Sequence, residues 1–270
     1  MSSQIPMKLL DWIDKSKLVW KELSNNPNAI HLLERNLDKI DWFWLSNNPN
    51  AIHLLEANLE KIDWKCLSYN ENAIQLLEKN PDKIDWKCLS YNENAIRLLE
   101  QNQDKIDWNW LSGNPNAIHL LEQNQDKIDW QWLSTNPNAI ELLVQNQDKI
   151  DWANLSHNKN AIHLLEKHDY SELDWEYLSI NPNAIHLLEK NPEKINWFNL
   201  FKNPNAIHLL EKNPEKINWY WLSGNPSIFT YDYNAMKQKH QELKHELIQR
   251  AWHPSRIASW LEQGVDIEYL

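Results

Sequence analysis

Three kinds of chemically competent side chain recur in this sequence at a fixed spacing. Asn-Ala-Ile is followed by His at six places, Trp-x-x-Leu is followed by Ser at nine places, and an Asp or Asn precedes a Trp in nine related segments. Imidazoles bind metal ions, activated hydroxyls act as nucleophiles, and carboxylates transfer protons. The spacing of each set decides between this chemistry and a structural role.

The histidine column favours a structural interpretation. Its members are His31, His53, His119, His163, His186 and His208, and Gln75, Arg97 and Glu141 take the same place in other copies. Side chains in neighbouring stacked copies lie ~10 Å apart and cannot share one ion at ~2 Å bond lengths. We predict an exposed column with no metal site and no cofactor.

The serine and aspartate columns also lack the asymmetry that catalysis needs. A nucleophile requires one base and one oxyanion site, whereas this chain offers nine equivalent serines. Asn196 and Asn218 replace the Asp before Trp late in the chain, which indicates a shared hydrogen-bonding role such as helix capping. We therefore predict no catalytic residues and no enzymatic activity.

A tandem repeat accounts for all three columns. Ten tryptophans follow one another at 22 residues, with a single step of 23: Trp20, Trp42, Trp64, Trp86, Trp108, Trp130, Trp152, Trp175, Trp197 and Trp219. The extra residue falls in the segment 168–173, which we assign to a connection. Periods of 20 to 50 residues are typical of solenoids, in which each copy packs against its neighbours.

Each copy contains two helix signals. Asn-Pro opens both halves of the copy that runs from Asn203 to Ser223, and Asn and Pro suit an N-cap and a first helical position. The second half allows for a 3₁₀ turn before its Trp. We predict an all-α fold, a right-handed α-solenoid of about ten two-helix copies, with the ten tryptophans in its structural core. Stacked ~8 to 10 Å apart, the copies would form a curved rod on the order of 90 to 100 Å long.

The flanking segments predict terminal caps. Residues 1–17 keep only a degenerate form of the pattern and residues 230–270 leave it, so the domains are an N-terminal cap (1–17), the array (18–229) and a C-terminal helical cap (230–270). A docking element is the alternative for the last segment. Its first helix should run from Tyr233 to Trp252, with Met236, Leu243, Leu247 and Ile248 facing inward, and a second should cover 256–263.

Composition excludes several classes of protein. The net charge is −11, whereas nucleic-acid binding normally requires a basic surface. The start lacks the apolar core of a signal peptide, and no stretch is apolar enough to span a membrane. Cys66 and Cys88 occupy equivalent places one repeat apart, beyond disulfide range, and fit as small apolar residues in a reducing compartment.

Binding in solenoids depends on positions where copies differ. Two such positions lie one helical turn apart on the second helix, and together they mix aromatic, charged and small residues. Neutral variation on a solvated ridge is the alternative. The candidate partner-binding residues are Phe43, Lys65, Tyr69, Lys87, Tyr91, Asn109, Gln131, His157, Glu176, Phe198 and Tyr220.

The repeat phrase resembles a known group of sequences. The unit NPNAIHLLEKNPDKIDWxWLSxNPNAI is similar to the Asn- and Trp-rich tandem repeats of large nucleocytoplasmic DNA viruses of algae and amoebae, and the tail from Glu246 to Leu270 is similar to a tail found in proteins of the same viruses. There is a looser similarity to leucine-rich variant repeats. Departures include Glu71, Glu93 and Lys159 in place of the cap Pro, and Val144 in place of Glu. The resemblance implies a viral origin and supplies no catalytic residues.

Together these observations predict a non-enzymatic scaffold that binds another protein, a host factor, along its variable face. The alternative is a structural component of a virus particle, in which a rigid acidic rod would bridge other subunits. Either role implies the host cytoplasm or the virion, with no nucleic-acid or membrane partner. The oligomeric state stays open.

Overall fold

The structure of this protein is a computed structural model that describes residues 5–263. Its contacts divide the chain into two compact units, one from Leu10 to Phe229 and one formed by Met1–Leu9 together with Thr230–Leu270. The first unit contains all ten repeats, and its boundary near the N-terminus lies at Leu10 rather than at residue 18.

Two short α-helices alternate through the repeat unit, which confirms the predicted all-α solenoid. The Trp helices, named for their first residue, are Trp20–Asn25, Trp42–Ser46, Trp64–Tyr69, Trp86–Tyr91, Trp108–Ser112, Trp130–Thr135, Trp152–Leu155, Trp175–Ile180, Trp197–Leu200 and Trp219–Leu222. The Ile helices are Ile30–Leu33, Ile52–Glu56, Ile74–Glu78, Ile96–Glu100, Ile118–Gln123, Ile140–Gln145, Ile162–Leu165, Ile185–Lys190 and Ile207–Lys212.

Short 3₁₀ helices join these elements. Those before a Trp helix are Lys15–Lys17, Leu37–Lys39, Leu59–Lys61, Pro81–Lys83, Gln103–Lys105, Gln125–Lys127, Gln147–Lys149, Pro192–Lys194 and Pro214–Lys216, and those after one are Pro27–Ala29, Glu93–Ala95, Pro204–Ala206 and Pro226–Ile228. The 3₁₀ turn expected before the Trp is therefore present. Residues 168–173, which hold the extra residue, form turns and bends, as expected of a connection.

In the nine copies from Trp42 to Trp219, the Asp or Asn before the Trp caps its helix, whereas Val19 before Trp20 makes no such bond. Asp41 Oδ1 accepts a hydrogen bond from the Trp44 amide at 3.2 Å, and Asn196 Oδ1 accepts one from the Asn199 amide at 3.0 Å. Both side chains offer one oxygen to a first-turn N–H group, so either satisfies the helix start. The predicted capping role is confirmed.

The apolar core consists of three columns of small and branched side chains. Leu45 of a Trp helix, Ala51 and Leu55 of the following Ile helix, and their equivalents in the other copies are completely buried. A single copy offers too few such groups to offset the entropy of ordering its backbone. The columns become a core only because each copy covers the next.

A polar ladder runs beside this core. Asn48 Nδ2 donates to the carbonyls of Ser24 and Asn26 in the preceding copy at 2.9 and 3.0 Å. Its Oδ1 accepts from the Asn50 amide, and equivalent bonds recur from copy to copy. In the same way Ser46 Oγ donates to its own Trp helix and accepts from the Asp63 amide of the next copy. The serines thus have a structural role, as predicted, and it extends between copies.

The ten repeat tryptophans lie at the margin of the core rather than at its centre. All ten are partly exposed, while the adjacent leucines are completely buried. In six consecutive copies a Lys ammonium from the next 3₁₀ helix lies 4.3 to 4.7 Å from the indole centroid. The prediction of tryptophans as core residues is corrected accordingly: one side of the ring packs, and a cation covers part of the other.

The array closes into a ring, so the predicted rod is wrong. Asn26 of the first copy donates to the carbonyls of Ser223 and Asn225 in the last copy at 3.0 and 2.9 Å. The Val19 amide donates to Ser223 Oγ, and the Lys17 ammonium lies 5.1 Å from the Trp219 centroid. The two asparagine bonds are those that every other copy makes with its predecessor, and most copies also share the contacts of the serine and the lysine. Residues 15–17 therefore belong to this junction and do not cap a free end.

The second unit has its own short elements. Strand β1 (Met7–Leu9) pairs with strand β2 (Phe229–Tyr231), and two α-helices follow at Tyr233–Ala251 and Pro254–Glu262. Leu243, Leu247 and Ile248 were expected to face inward, but all three are exposed. No helix among residues 5–263 is long and apolar enough to cross a membrane.

Candidate ligand cavity at the centre of the ring

The second variable position of seven consecutive copies lines one cavity of about 430 Å³. Its wall includes Tyr69 of the third copy, Lys202 of the ninth, and residues of every copy between them. In a closed ring of ten copies, seven consecutive copies can share a cavity only if their side chains face the central axis. The cavity is therefore the central opening of the ring, and the last residues of the Trp helices line it.

Charged residues stand on this wall where other copies carry proline. Glu71, Glu93 and Lys159 occupy the position filled by Pro49, Pro115 and their equivalents, and all three line the cavity. The Glu71 carboxyl is hydrogen-bonded to that of Glu93, and this bond, together with burial and charge repulsion, raises the pKa of Glu71. Two carboxylates held this close favour a cation or a shared proton beside them.

The opposite part of the wall is basic. His157 and Lys159 come from the seventh copy and Lys202 from the ninth, and all three line the cavity. Burial lowers the pKa of His157, and the charge of Lys202 lowers it further. The ammonium groups of Lys159 and Lys202 give this side its positive charge.

Aromatic rings join the two sides. Tyr69 and Tyr91 are stacked with centroids 5.1 Å apart, and Trp110 and Trp132 are stacked at 5.5 Å. The Tyr91 ring meets both indoles edge-on at about 6 Å. Burial raises the pKa of both tyrosines, so their hydroxyls stay protonated and available as hydrogen-bond donors.

A second cavity of about 310 Å³ adjoins the first. Tyr91, Thr135 and His157 line both, and Gln131, Trp132, Asn154 and Tyr177 complete the second. The His157 ring meets Tyr177 edge-on at 5.8 Å. The two cavities thus share variable side chains of the fourth, sixth and seventh copies.

The predicted partner-binding residues divide into two groups. Tyr69, Tyr91, Gln131 and His157 line the cavities. The other group lies on the ring surface, where Tyr220 is partly exposed and the following six are exposed: Phe43, Lys65, Lys87, Asn109, Glu176 and Phe198. The second variable position of a Trp helix therefore lines the cavities, whereas candidates at the first position lie on the ring surface, with Gln131 as the exception.

The histidine column lies on the Ile helices. His53 Nε2 is 2.9 Å from Glu34 Oε1 of the preceding copy, and His119, His186 and His208 make the same contact with Glu100, Glu166 and Glu189. All of these groups are exposed or half-exposed, which limits the contribution of each pair to stability. The column links copies across the ring surface.

The charged residues of the cavity were not among the predicted site residues. Glu71, Glu93 and Lys159 are departures from the cap proline, and Lys202 occupies the second variable position of the Trp helix that contains Phe198. A usable signal was present: the three copies without the proline all carry a charge instead. Their convergence became visible only when the ring closed.

Comparison with known proteins adds little to this geometry. The family model described as NosD, a periplasmic copper-binding protein, matches residues 36–235 weakly. The matched range spans most of the tandem copies, so the likeness follows the repeat period. Among residues 5–263 no group of three or more His, Cys, Asp or Glu side chains could hold a metal ion, and no copper site is carried over. No curated protein and no solved structure matches the chain.

Proposed function

We propose that this protein is a non-enzymatic binding scaffold that holds part of another protein. The supporting observation is that side chains which differ between copies, among them Tyr91, Thr135 and His157, meet at the central opening. Phe43 and Phe198 are variable residues on the ring surface, and about half of each is exposed. Exposed aromatic residues are typical anchors of protein interfaces.

The partner is a host factor in this proposal. The resemblance to repeats of large DNA viruses supports it, as does the lack of any position at which one nucleophile and one base stand apart from their equivalents. The net charge of −11 favours a partner surface with basic groups.

Affinity capture from host lysate tests the proposal. The variant Phe43→Ala/Lys65→Ala/Phe198→Ala removes exposed variable side chains without disturbing the core, and we expect it to lose the partners that the unaltered protein retains. The matched control is Gln75→Ala/Arg97→Ala/Glu141→Ala on the Ile helices, which should keep them. An identical set of captured proteins for both variants would refute binding by the variable surface.

The second candidate is a structural component of a virus particle. A closed ring has a fixed size and no free ends. These properties suit a spacer between other subunits of a particle. Mass spectrometry of purified particles is the test. A copy number in constant ratio to the major shell protein would support this role, and absence from particles would exclude it.

A further inference from the structure

The central cavity carries opposite charges on opposite sides. Glu71 and Glu93 belong to the third and fourth copies, whereas Lys159 and Lys202 belong to the seventh and ninth. In a ring of ten, the first pair and the second pair stand almost across the opening from each other. A ligand in the cavity would therefore meet negative charge at one end and positive charge at the other.

We propose that the cavity binds a dipolar ligand that carries an ammonium or guanidinium group at one end and a carboxylate at the other. The cationic end lies against Glu71 and Glu93, and the carboxylate lies against Lys159 and Lys202. This inference rests on the proposed scaffold function, because the same central opening supports both, but it concerns the charged residues of the wall and not the exposed residues tested above.

The fold itself does not require these charges. The carbonyls of Glu71, Glu93 and Lys159 accept hydrogen bonds from Asn94, Asn116 and Asn183, as the carbonyl of Pro137 does from Asn160. Proline would fill the same ladder position and would restrict the unfolded chain more. The charged side chains thus replace a residue that suits the backbone, and all of them enter one cavity.

The tyrosine pair favours a cation at the acidic side. Tyr69 and Tyr91 lie in the same two copies as Glu71 and Glu93, and their rings stack at 5.1 Å. Aromatic faces attract ammonium and guanidinium groups through the ring quadrupole, and the nearby carboxylates add direct attraction. An anionic or neutral ligand would gain neither the attraction to the aromatic rings nor the attraction to the carboxylates.

The size of the cavity limits the ligand. A volume of about 430 Å³ falls in the range of small-molecule sites, about 300 to 1,000 Å³, and is too small for a folded domain. An amino-acid-like molecule or a few residues of an extended chain would fit. Both kinds of ligand can carry a positive charge at one end and a negative charge at the other.

Calorimetric titration of the full chain with three compounds of similar length tests the inference. They are ε-aminocaproate, which has both charges, hexylamine, which has only the cation, and caproate, which has only the anion. We expect ε-aminocaproate to bind about tenfold or more tightly than either of the others. Equal affinity for all three, or no binding at millimolar concentration, would overturn the proposal.

Charge variants locate the binding. Glu71→Gln/Glu93→Gln and Lys159→Gln/Lys202→Gln should each weaken ε-aminocaproate about tenfold, while the outer-surface control Glu78→Gln/Lys79→Gln should not. The fourfold exchange Glu71→Lys/Glu93→Lys/Lys159→Glu/Lys202→Glu should restore binding, because a flexible ligand can reverse its direction. Thermal melts establish that each variant is folded, and a folded exchange variant that does not bind would contradict the assignment.

A further arm separates the two sources of ligand. A blocked tetrapeptide Lys-Gly-Gly-Glu carries the same charges on side chains. Tighter binding of the peptide than of ε-aminocaproate assigns the cavity to a protein segment, and the reverse assigns it to a free amino-acid-like molecule. Failure of both leaves the scaffold proposal standing, since affinity capture depends on other residues.

Discussion

At the scale of single residues, the molecule depends on buried asparagine. Asn114 is completely buried, and its amide nitrogen donates to the carbonyls of Ser90 and Asn92 at 3.0 and 2.9 Å. Its oxygen accepts from the Asn116 amide. The amide nitrogen therefore bonds to the preceding copy, and the oxygen bonds within its own copy. Alanine at this position would leave the two carbonyls and the Asn116 amide without these hydrogen-bond partners.

The first prediction concerns this residue. Asn114→Ala should lower the free energy of unfolding by about 3 kcal/mol, since each buried group left without a partner costs about 1 to 3 kcal/mol. Asn116→Ala is the matched control: its exposed amide makes one bond to the Glu93 carbonyl, and its loss should cost about 1 kcal/mol or less. Urea unfolding measures both, and equal losses would contradict a special role for the ladder.

The second prediction concerns the two free thiols. Burial raises the pKa of Cys66 to about 12 and that of Cys88 to about 11, with the carboxylates of Asp63 and Asp85 as the next causes. Because the thiolate is the reactive form, alkylation at pH 8 should be roughly 100-fold or more slower than in the urea-unfolded chain. The rate should increase as the pH approaches these pKa values. Cys66→Ser and Cys88→Ser assign the two phases, and native labelling at the unfolded rate would contradict burial of the thiols.

At the scale of elements, a lysine and an indole connect successive copies. In seven of the interfaces between copies a Lys of a 3₁₀ helix covers the Trp of the preceding copy, and the Lys127 ammonium lies 4.3 Å from the Trp108 centroid. The short 3₁₀ helix holds this Lys in place. Where the connection has an extra residue, the ring of His168 stacks on Trp152 at 3.5 Å instead. The sequence pattern predicted both helices and the connection, but the cation over the ring follows from the packing of adjacent copies.

The third prediction tests this contact. Lys127→Gln should destabilise the protein by about 0.5 to 1 kcal/mol, the usual size of an exposed cation–π interaction, and Lys127→Arg should retain most of it. Chemical denaturation measures the difference. If Arg and Gln destabilise equally, the ammonium contributes nothing through the ring and only its alkyl chain packs.

At the scale of the whole repeat unit, closure removes the two exposed ends that a solenoid would otherwise have to cap. Neighbouring Trp helices contact each other closely along most of the array, whereas neighbouring Ile helices make fewer contacts. The Trp helices therefore form the inner circle and the Ile helices the wider outer one. This difference in spacing curves the array until the tenth copy meets the first.

The fourth prediction follows from closure. Asn26→Ala should destabilise the protein about as much as Asn114→Ala, because Asn26 makes the same two bonds to the last copy that Asn114 makes to its predecessor. In an open array Asn26 would lie at a free end, and its loss would cost almost nothing. Parallel urea titrations of the two variants distinguish a ring from a rod.

The sequence by itself determined the repeat period, the two helices of each copy, the N-caps of the Trp helices and the structural role of the serine and aspartate columns. These features depend on residues within one or two helical turns of each other in the sequence, and the same pattern recurs in every copy. The sequence could not show which apolar residues form the core. Tryptophan and leucine are both apolar in a sequence pattern, and only the structure shows that the leucines are completely buried and the tryptophans partly exposed.

Only the tertiary structure decided whether the array stays open or closes, and hence which variable residues meet. Closure depends on a small rotation between neighbouring copies that accumulates over ten copies. The sequence of a single repeat does not show the total rotation of the array. For that reason Glu71 and Lys202, 131 positions apart in the sequence, could be recognised as two sides of one cavity only in the folded ring.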